Sequence, residues 1–474
     1  MTRLTPDICV IGAGSGGLSV AAAAAAFGVP VVLVERGRMG GDCLNYGCVP
    51  SKALIAAAKQ AHLMSNGAGF GIAPAEAEVN FRQVMKHVAA TIAAIAPNDS
   101  VERFTALGVQ VIQEEARFTN RRTVIAGDYE IRARRFVVAT GSSPLVPPIP
   151  GLEDVSYLTN ETIFAQTRKP AHLIVVGGGP IGMELAQAHR RLGSAVTVVE
   201  ALTALGKDDP ELTAFALRNI RAEGVDVLEH TKVAGVEKRG RTGVRVHIED
   251  ESGARSIDGS HLLIATGRIP NIAALGLDRA GIKHDRRGIK VSDKLRTSNR
   301  RVYAIGDVTG GLQFTHVAGY HAGLVIRALL FRLSARENRN IIPWATYTDP
   351  EIAHVGLSEE EARKSHRKIN ILRWPYSEND RAQAERRTEG LIKLVTDRKG
   401  RILGASIAGA NAGEMINFWA LALSRKLSVR DVAGYVAPYP TMTEIGKRAA
   451  ITYFTETTRR PLVRAVVRIL RRFG

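Results

Sequence analysis

Two of the chain's three cysteines, Cys43 and Cys48, lie in "GGDCLNYGCVPSK" (residues 40–52), with four residues between them. A structural disulfide, half of a metal site and a redox switch would each bring cysteines this close. A disulfide requires Cα atoms roughly 4.4 to 6.8 Å apart, whereas an extended segment of this length would separate them by more than about 15 Å. The segment therefore has to fold back, and Asn45 and Gly47 are expected to supply the positive φ angles that permit it. Pro50 is expected to open a helix over "PSKALIAAAKQAHLM". The N-terminus of that helix would lower the pKa of the nearby Cys48 and favour its thiolate. Zinc needs four ligands and this neighbourhood offers two sulfurs, so no metal is expected. An inert bridge and a redox pair remain open on these residues alone.

The elements that must position this pair are announced by an internal repeat. Residues 7–36, "DICVIGAGSGGLSVAAAAAAFGVPVVLVER", and 172–201, "HLIVVGGGPIGMELAQAHRRLGSAVTVVEA", superimpose at a shift of 165 positions. Gly12, Gly14, Gly17 and Glu35 recur as Gly177, Gly179, Gly182 and Glu200. Each copy reads as a β-rich run, a GxGxxG turn, a helix and a second β-rich run ending in an acid. In such a unit the first Gly makes the tight turn, the second lets backbone approach a pyrophosphate and the third lets helix pack on strand. The helix N-terminus faces the phosphates and the acid accepts from a ribose hydroxyl. Two dinucleotides are expected, and a flavin with a nicotinamide is the natural pair. Pro180 suits the first turn of the second helix.

Bulk composition agrees. The 474 residues suit about two to four domains. Few cysteines in so long a chain point away from a disulfide-framed secreted scaffold and towards a reducing, cytoplasmic setting. The formal net charge of +18 favours anionic partners such as cofactors, a lipid surface or nucleic acid; with the motifs taken into account no nucleic-acid partner is expected. The apolar N-terminal run is broken by glycines and by Gly28-Val29-Pro30, and reads as buried strand-helix-strand rather than as a targeting segment. Cys9, within the first strand, reads as a small buried hydrophobe. The segment "EVNFRQVMKHVAATIAAI" reads as an amphipathic helix.

These motifs, together with "VVATGSSP" (137–144), "LIATGRIPN" (263–271), "AIGDVTGG" (304–311) and "PYPTMTEIGKRAA" (438–450), run nearly end to end. In that order they resemble the class I pyridine nucleotide-disulphide oxidoreductases, which include lipoamide dehydrogenase, glutathione reductase and mercuric reductase. The resemblance implies an α/β chain with two Rossmann-like domains, for FAD and NAD(P), and a C-terminal α/β dimerisation domain. It divides the chain into a first FAD segment (1–150), a nicotinamide domain (151–266), a second FAD segment (267–342) and the dimerisation domain (343–474). A homodimer whose C-terminal domain lends residues to the other subunit's active site follows.

Residue by residue, the resemblance implies FAD on Gly12, Gly14, Gly17 and Glu35, with Asp307 on its ribityl chain and Gly141 and Gly267 in the adjoining glycine turns. It places the nicotinamide cofactor on Gly177, Gly179, Gly182 and Glu200. Cys43 becomes the exposed interchange thiol and Cys48 the thiol against the flavin, with Lys52 paired to Glu184 nearby. His316 resembles a position near the flavin in lipoamide dehydrogenases, and reads equally as a hydrogen-bonded helix histidine. Glu200, with no arginine in the following "ALTALG", predicts NADH over NADPH, because a 2′-phosphate would meet a carboxylate.

The departure lies in the C-terminal domain. Where lipoamide dehydrogenases carry His-Pro-Thr-x-x-Glu, this chain reads Tyr439-Pro440-Thr441-Met442-Thr443-Glu444. A phenol with pKa near 10 is a poor proton acceptor at neutral pH compared with an imidazole near 6.5. Glu444, which orients the histidine in the family, would have only a phenolic hydroxyl to orient. Mercuric reductases are similar in carrying tyrosine here, but rely on a C-terminal cysteine pair, whereas this chain reads "VRILRRFG". A dihydrolipoamide dehydrogenase-like enzyme leads; a mercuric reductase-like or other metal, quinone or small-molecule reductase and a flavin-based sensor stand as alternatives. The tail 459–474 reads as a basic amphipathic helix, suited either to an anionic membrane surface, making the protein peripheral, or to packing on the dimer with its arginines solvated.

Overall fold

A computed structural model describes residues 1–241 and 243–473. The chain divides into two compact units. The first comprises residues 1–67, 73–201 and 226–337; the second comprises 68–72, 202–225 and 338 to the C-terminus.

In the first unit, a five-stranded sheet runs in the order Val302–Ala304, Arg135–Val138, Ile8–Ile11, Val31–Val34, Gln110–Ile112. All its pairings are parallel. The strands Ile8–Ile11 and Val31–Val34 are wholly buried β-rich runs, as parallel strands covered on both faces must be. Cys9 lies there, buried, and burial raises its thiol to about 12. A four-stranded sheet repeats the design in the order Val225–Leu228, Ala195–Val199, His172–Val176, His261–Ile264. The crossover helices Ser15–Ala26 and Pro180–Arg191 follow the two glycine turns, so the internal repeat is a repeat of βαβ units. The helix Phe81–Ile95 forms where its apolar period predicts it, capped by Asn80.

The second unit is built on a five-stranded antiparallel sheet ordered Pro343–Thr346, Glu351–Gly356, Ile402–Gly409, Leu391–Asp397, Ile369–Pro375. Its core gathers Ile392, Leu394, Ile407 and Trp419. This unit takes in 202–225, a stretch within the expected 151–266 nicotinamide segment. An ion cluster fastens it there: buried Lys393 lies 2.7 Å from Asp209, 2.6 Å from Glu211 and 3.3 Å from Glu359. Among the described residues, no helix is long and apolar enough to cross a membrane.

Candidate active site

The cysteine segment folds back as two successive helices, Gly41–Asn45 and Cys48–Ser65. The positive φ angles fall at Gly40 (86°) and Gly41 (61°), not at the expected Asn45 and Gly47. Asn45 is helical, and its amide instead ties the turn by donating to the carbonyls of Met39 and Gly41. Gly47 has φ −121°; a Cβ there would come within 2.9 Å of an Asp42 carboxylate oxygen, so close approach explains the glycine. The second helix starts at Cys48, two residues before the expected Pro50, which makes Cys48 its first residue. In the chain alone Cys43 is half-buried and Cys48 exposed.

The surroundings of the two thiols decide which one holds the proton. Cys48 is lowered to about 6, chiefly by the hydrogen bond from Cys43, then by the Thr315 hydroxyl and the Lys52 charge, against burial and the Asp42 carboxylate. The Thr315 Oγ1 lies 3.4 Å from its sulfur. Cys43 is pushed up by its bond to Cys48 and by burial. Position at a helix N-terminus reinforces the Cys48 thiolate. One turn further on, Lys52 Nζ donates to Glu184 Oε2 at 2.7 Å, joining the cysteine helix to the helix of the second glycine motif.

The two glycine turns are alike in detail. Gly12 has φ 104° and Gly177 φ 113°, and a Cβ at either would lie 2.4 Å from a carbonyl oxygen, of Ala139 or Ala265. Gly14 and Gly179 differ: each has extended backbone, and nothing of the chain lies within 4 Å of where a Cβ would point. The fold itself does not demand glycine there, which fits space kept for a ligand approaching the backbone. Neither helix that follows has a side-chain cap or an acid in its first turn, so its N-terminal N–H groups and dipole are left for an anion. Glu35 accepts from the Ala13 N–H at 2.6 Å and Glu200 from the Gly178 N–H at 2.7 Å. Glu35 also accepts from the Gly37 N–H at 2.7 Å, and since an ionised carboxylate has about four lone-pair positions, Glu35 keeps acceptor capacity for a ribose hydroxyl. Both turns fit the diphosphate of a dinucleotide.

Around Asp307 the structure assembles partners that the motifs did not point out. Ser142 Oγ donates to Asp307 at 2.6 Å, and Arg268 Nε donates to Ser142 Oγ at 2.8 Å. Arg268 also lies 3.1 Å from Asp42, the neighbour of Cys43, and 3.9 Å from Asp307. Asn160 donates to the other oxygen of Asp42 at 3.1 Å. Burial raises the Asp307 carboxyl, opposed by Ser142 and Arg268. His321 Nδ1 accepts from the Gly306 N–H at 3.1 Å and its Nε2 donates to Glu337, so it holds the turn carrying Asp307. A signal for Ser142 and Arg268 did exist: "ATGSSP" and "ATGRIP" are a second repeat, and the strands Ser142–Pro144 and Arg268–Pro270 pair antiparallel. Gly141 and Gly267 open those strands at φ 66° and 130°. His316 stacks on Phe314, ring centroids 5.4 Å apart.

Tyr439 and Glu444 belong to the second unit. The Tyr439 hydroxyl donates to Asp380 at 2.9 Å, and Glu444 accepts from the Thr441 backbone N–H at 3.4 Å. The expected pairing of phenol with Glu444 is thus replaced by one with Asp380, a residue absent from the motif. That carboxylate raises the Tyr439 pKa. Among the described residues, no group of three or more His, Cys, Asp or Glu could hold a metal ion.

Comparison with known proteins agrees with this arrangement. The description "Pyridine nucleotide-disulphide oxidoreductase" matches residues 6–322, and its dimerisation domain matches 342–450. Mercuric reductase of Bacillus cereus is 36% identical over 450 residues, covering 94% of this chain and 71% of that protein. Dihydrolipoyl dehydrogenase of Thermus scotoductus is 35% identical, covering 93% of this chain and 95% of that one. The HOCl-induced flavoprotein disulfide reductase RclA from Escherichia coli superposes with a TM-score of 0.83 at 28% identity, over 94% of this chain and 99% of that one. The family uses FAD and a pyridine nucleotide, and the matched dimerisation domain supports a homodimer. The chain belongs to the class I pyridine nucleotide-disulphide oxidoreductases and is an FAD-dependent enzyme of that family.

Proposed function

We propose that the chain is an NADH-oxidising reductase whose Cys43–Cys48 pair serves an electron acceptor that needs no general base at position 439. The observation that carries this reading is the Tyr439 hydroxyl donating to Asp380 at 2.9 Å. A phenol so bound has its proton held by a carboxylate and its pKa raised, so it can orient an acceptor but is a weaker base still than free phenol. A disulfide acceptor such as lipoamide, whose exchange needs a base to take the Cys43 proton and return it to the leaving sulfur, is therefore disfavoured, while a thiophilic metal ion or a quinone is not. Mercuric reductases among the relatives lend weight to the same side.

When bound, FAD supplies the two-electron link between the nicotinamide hydride and the cysteine disulfide. The chain's own residues do the rest. Gly12, Gly14, Gly17 and Glu35, with Asp307, hold the flavin nucleotide; Gly177, Gly179, Gly182 and Glu200 hold NADH. Cys48 keeps the thiolate and Cys43 the exchangeable proton, and Lys52, fixed by Glu184, adds positive charge beside the thiolate. Overall, NADH and the oxidised acceptor give NAD⁺ and the acceptor reduced by two electrons; a quinone also takes up the hydride's proton equivalent and one from solvent, whereas a metal ion leaves a proton released.

The test is a screen of NADH oxidation over lipoamide, quinones and metal ions, in the wild type and in Tyr439→His. Lipoamide turnover is expected to be low in the wild type and to rise at least ten-fold with histidine. Efficient lipoamide turnover that histidine does not raise overturns the reading.

A further inference from the structure

The C-terminal helix Pro461–Leu470 has no buried residue. Leu462, Val466, Val467, Ile469, Leu470 and Phe473 are exposed, by 47% at Val466 to 83% at Phe473. At 3.6 residues per turn these side chains, with half-buried Val463, fill an arc of about 160°, and Arg464, Arg468, Arg471 and Arg472 fill the opposite one. From Arg459 to Phe473 there are six arginines and no acid. Such a face is too apolar to be explained by solvation and too basic to be explained by core packing. The helix also lies beyond residue 450, where the dimerisation match ends.

We propose that this helix docks in the plane of an anionic lipid surface, its apolar arc among the acyl chains and its arginines at the headgroups. Neither signal alone gives firm attachment, but an apolar face and a polybasic patch on one short helix supply both. Each arginine near an anionic bilayer strengthens binding roughly five-fold. A polyanion such as nucleic acid would satisfy the arginines and leave the apolar arc in water. A second copy of the same tail would cover the arc but gather a further six arginines on the same small pair of helices, with no acid in either tail to offset them. The helix has ten residues, too short to span a bilayer, so it lies on the surface.

The test uses the full FAD-loaded chain, co-sedimented with phosphatidylcholine vesicles and with vesicles containing about a third phosphatidylglycerol. Binding is expected to the second kind only. The double variant Leu462→Asp/Leu470→Asp, which keeps every arginine, is expected to lose binding by more than ten-fold. Arg468→Gln/Arg472→Gln, which keeps the apolar arc, is expected to weaken it by about 25-fold. Flavin reduction by NADH, unchanged in both variants, shows that the fold is intact. Absence of binding by the wild type overturns the proposal. Undiminished binding by the aspartate variant also overturns it, by assigning the attraction to the general charge of the chain. If the aspartate variant instead dissociates the dimer in sedimentation velocity and the wild type ignores vesicles, the arc is a subunit contact and the proposal fails.

Discussion

If Cys48 owes its thiolate first to the hydrogen bond from Cys43, removing that donor must raise its pKa by a calculable amount. Cys43→Ser keeps an O–H donor and Cys43→Ala removes it; in either variant Cys48 titrates alone, free of the coupled thiol. Hydrogen bonds to charged groups are worth about 1.5 to 3 kcal/mol, and one pKa unit is about 1.4 kcal/mol. The midpoint should therefore stay near 6 with serine and rise by about one to two units with alanine. Thr315 and Lys52 remain to hold it below 9. Because the thiolate is the reactive form, lowering the pH below the midpoint protonates Cys48 and slows its alkylation. At about pH 5, iodoacetamide should modify the alanine variant at least ten-fold more slowly than the serine variant, and the two rates should converge above about pH 9. Cys9 does not interfere, being fully buried with its thiol at about 12. Superimposable pH profiles, or a serine-variant midpoint near 9, would refute the assignment of Cys48 as the stabilised thiolate.

Gly179→Ala places a methyl group where the chain leaves open space, so thermal unfolding and flavin content should stay close to wild type while KM for NADH rises at least ten-fold; a fall in stability with KM unchanged would show that the glycine serves the fold. Flavin reduction followed by stopped flow should be at least ten-fold slower with NADPH than with NADH, and Glu200→Ser should narrow that gap. Equal rates in the wild type would remove Glu200 as the selector of nucleotide.

What the sequence made legible was local. The glycine turns, their strands and acids, and the helix Phe81–Ile95 depend on residues within a few dozen positions of each other, where spacing alone carries the geometry. Cys43, Cys48, Lys52 and Glu184 were singled out because motifs carried them, and the structure joins Lys52 to Glu184 across 132 positions. Asp42 and Asn160 were missed because their meeting depends on how distant segments cross, which no periodicity records, whereas Ser142 and Arg268 left a signal in the second repeat that was not read. Asp380 escaped for the same reason: it reaches Tyr439 across 59 positions, from a short helix outside the motif. The turn at 40–48 was predicted to fold back, but by the wrong residues. Glycines on the N-terminal side of Cys43 make the left-handed step, and the early helix start leaves Gly47 no need of one.

Arg268 sits between two carboxylates, one beside Cys43 and one in the turn that His321 holds. A single guanidinium shared in this way makes the cysteine segment and the 306–309 turn rivals for the same positive charge. A ligand that recruits Asp307 would release part of Arg268 to Asp42. By thermodynamic reciprocity, whatever bias occupancy of the turn exerts on the cysteine segment through Arg268 would be matched by an equal bias of that segment on the turn.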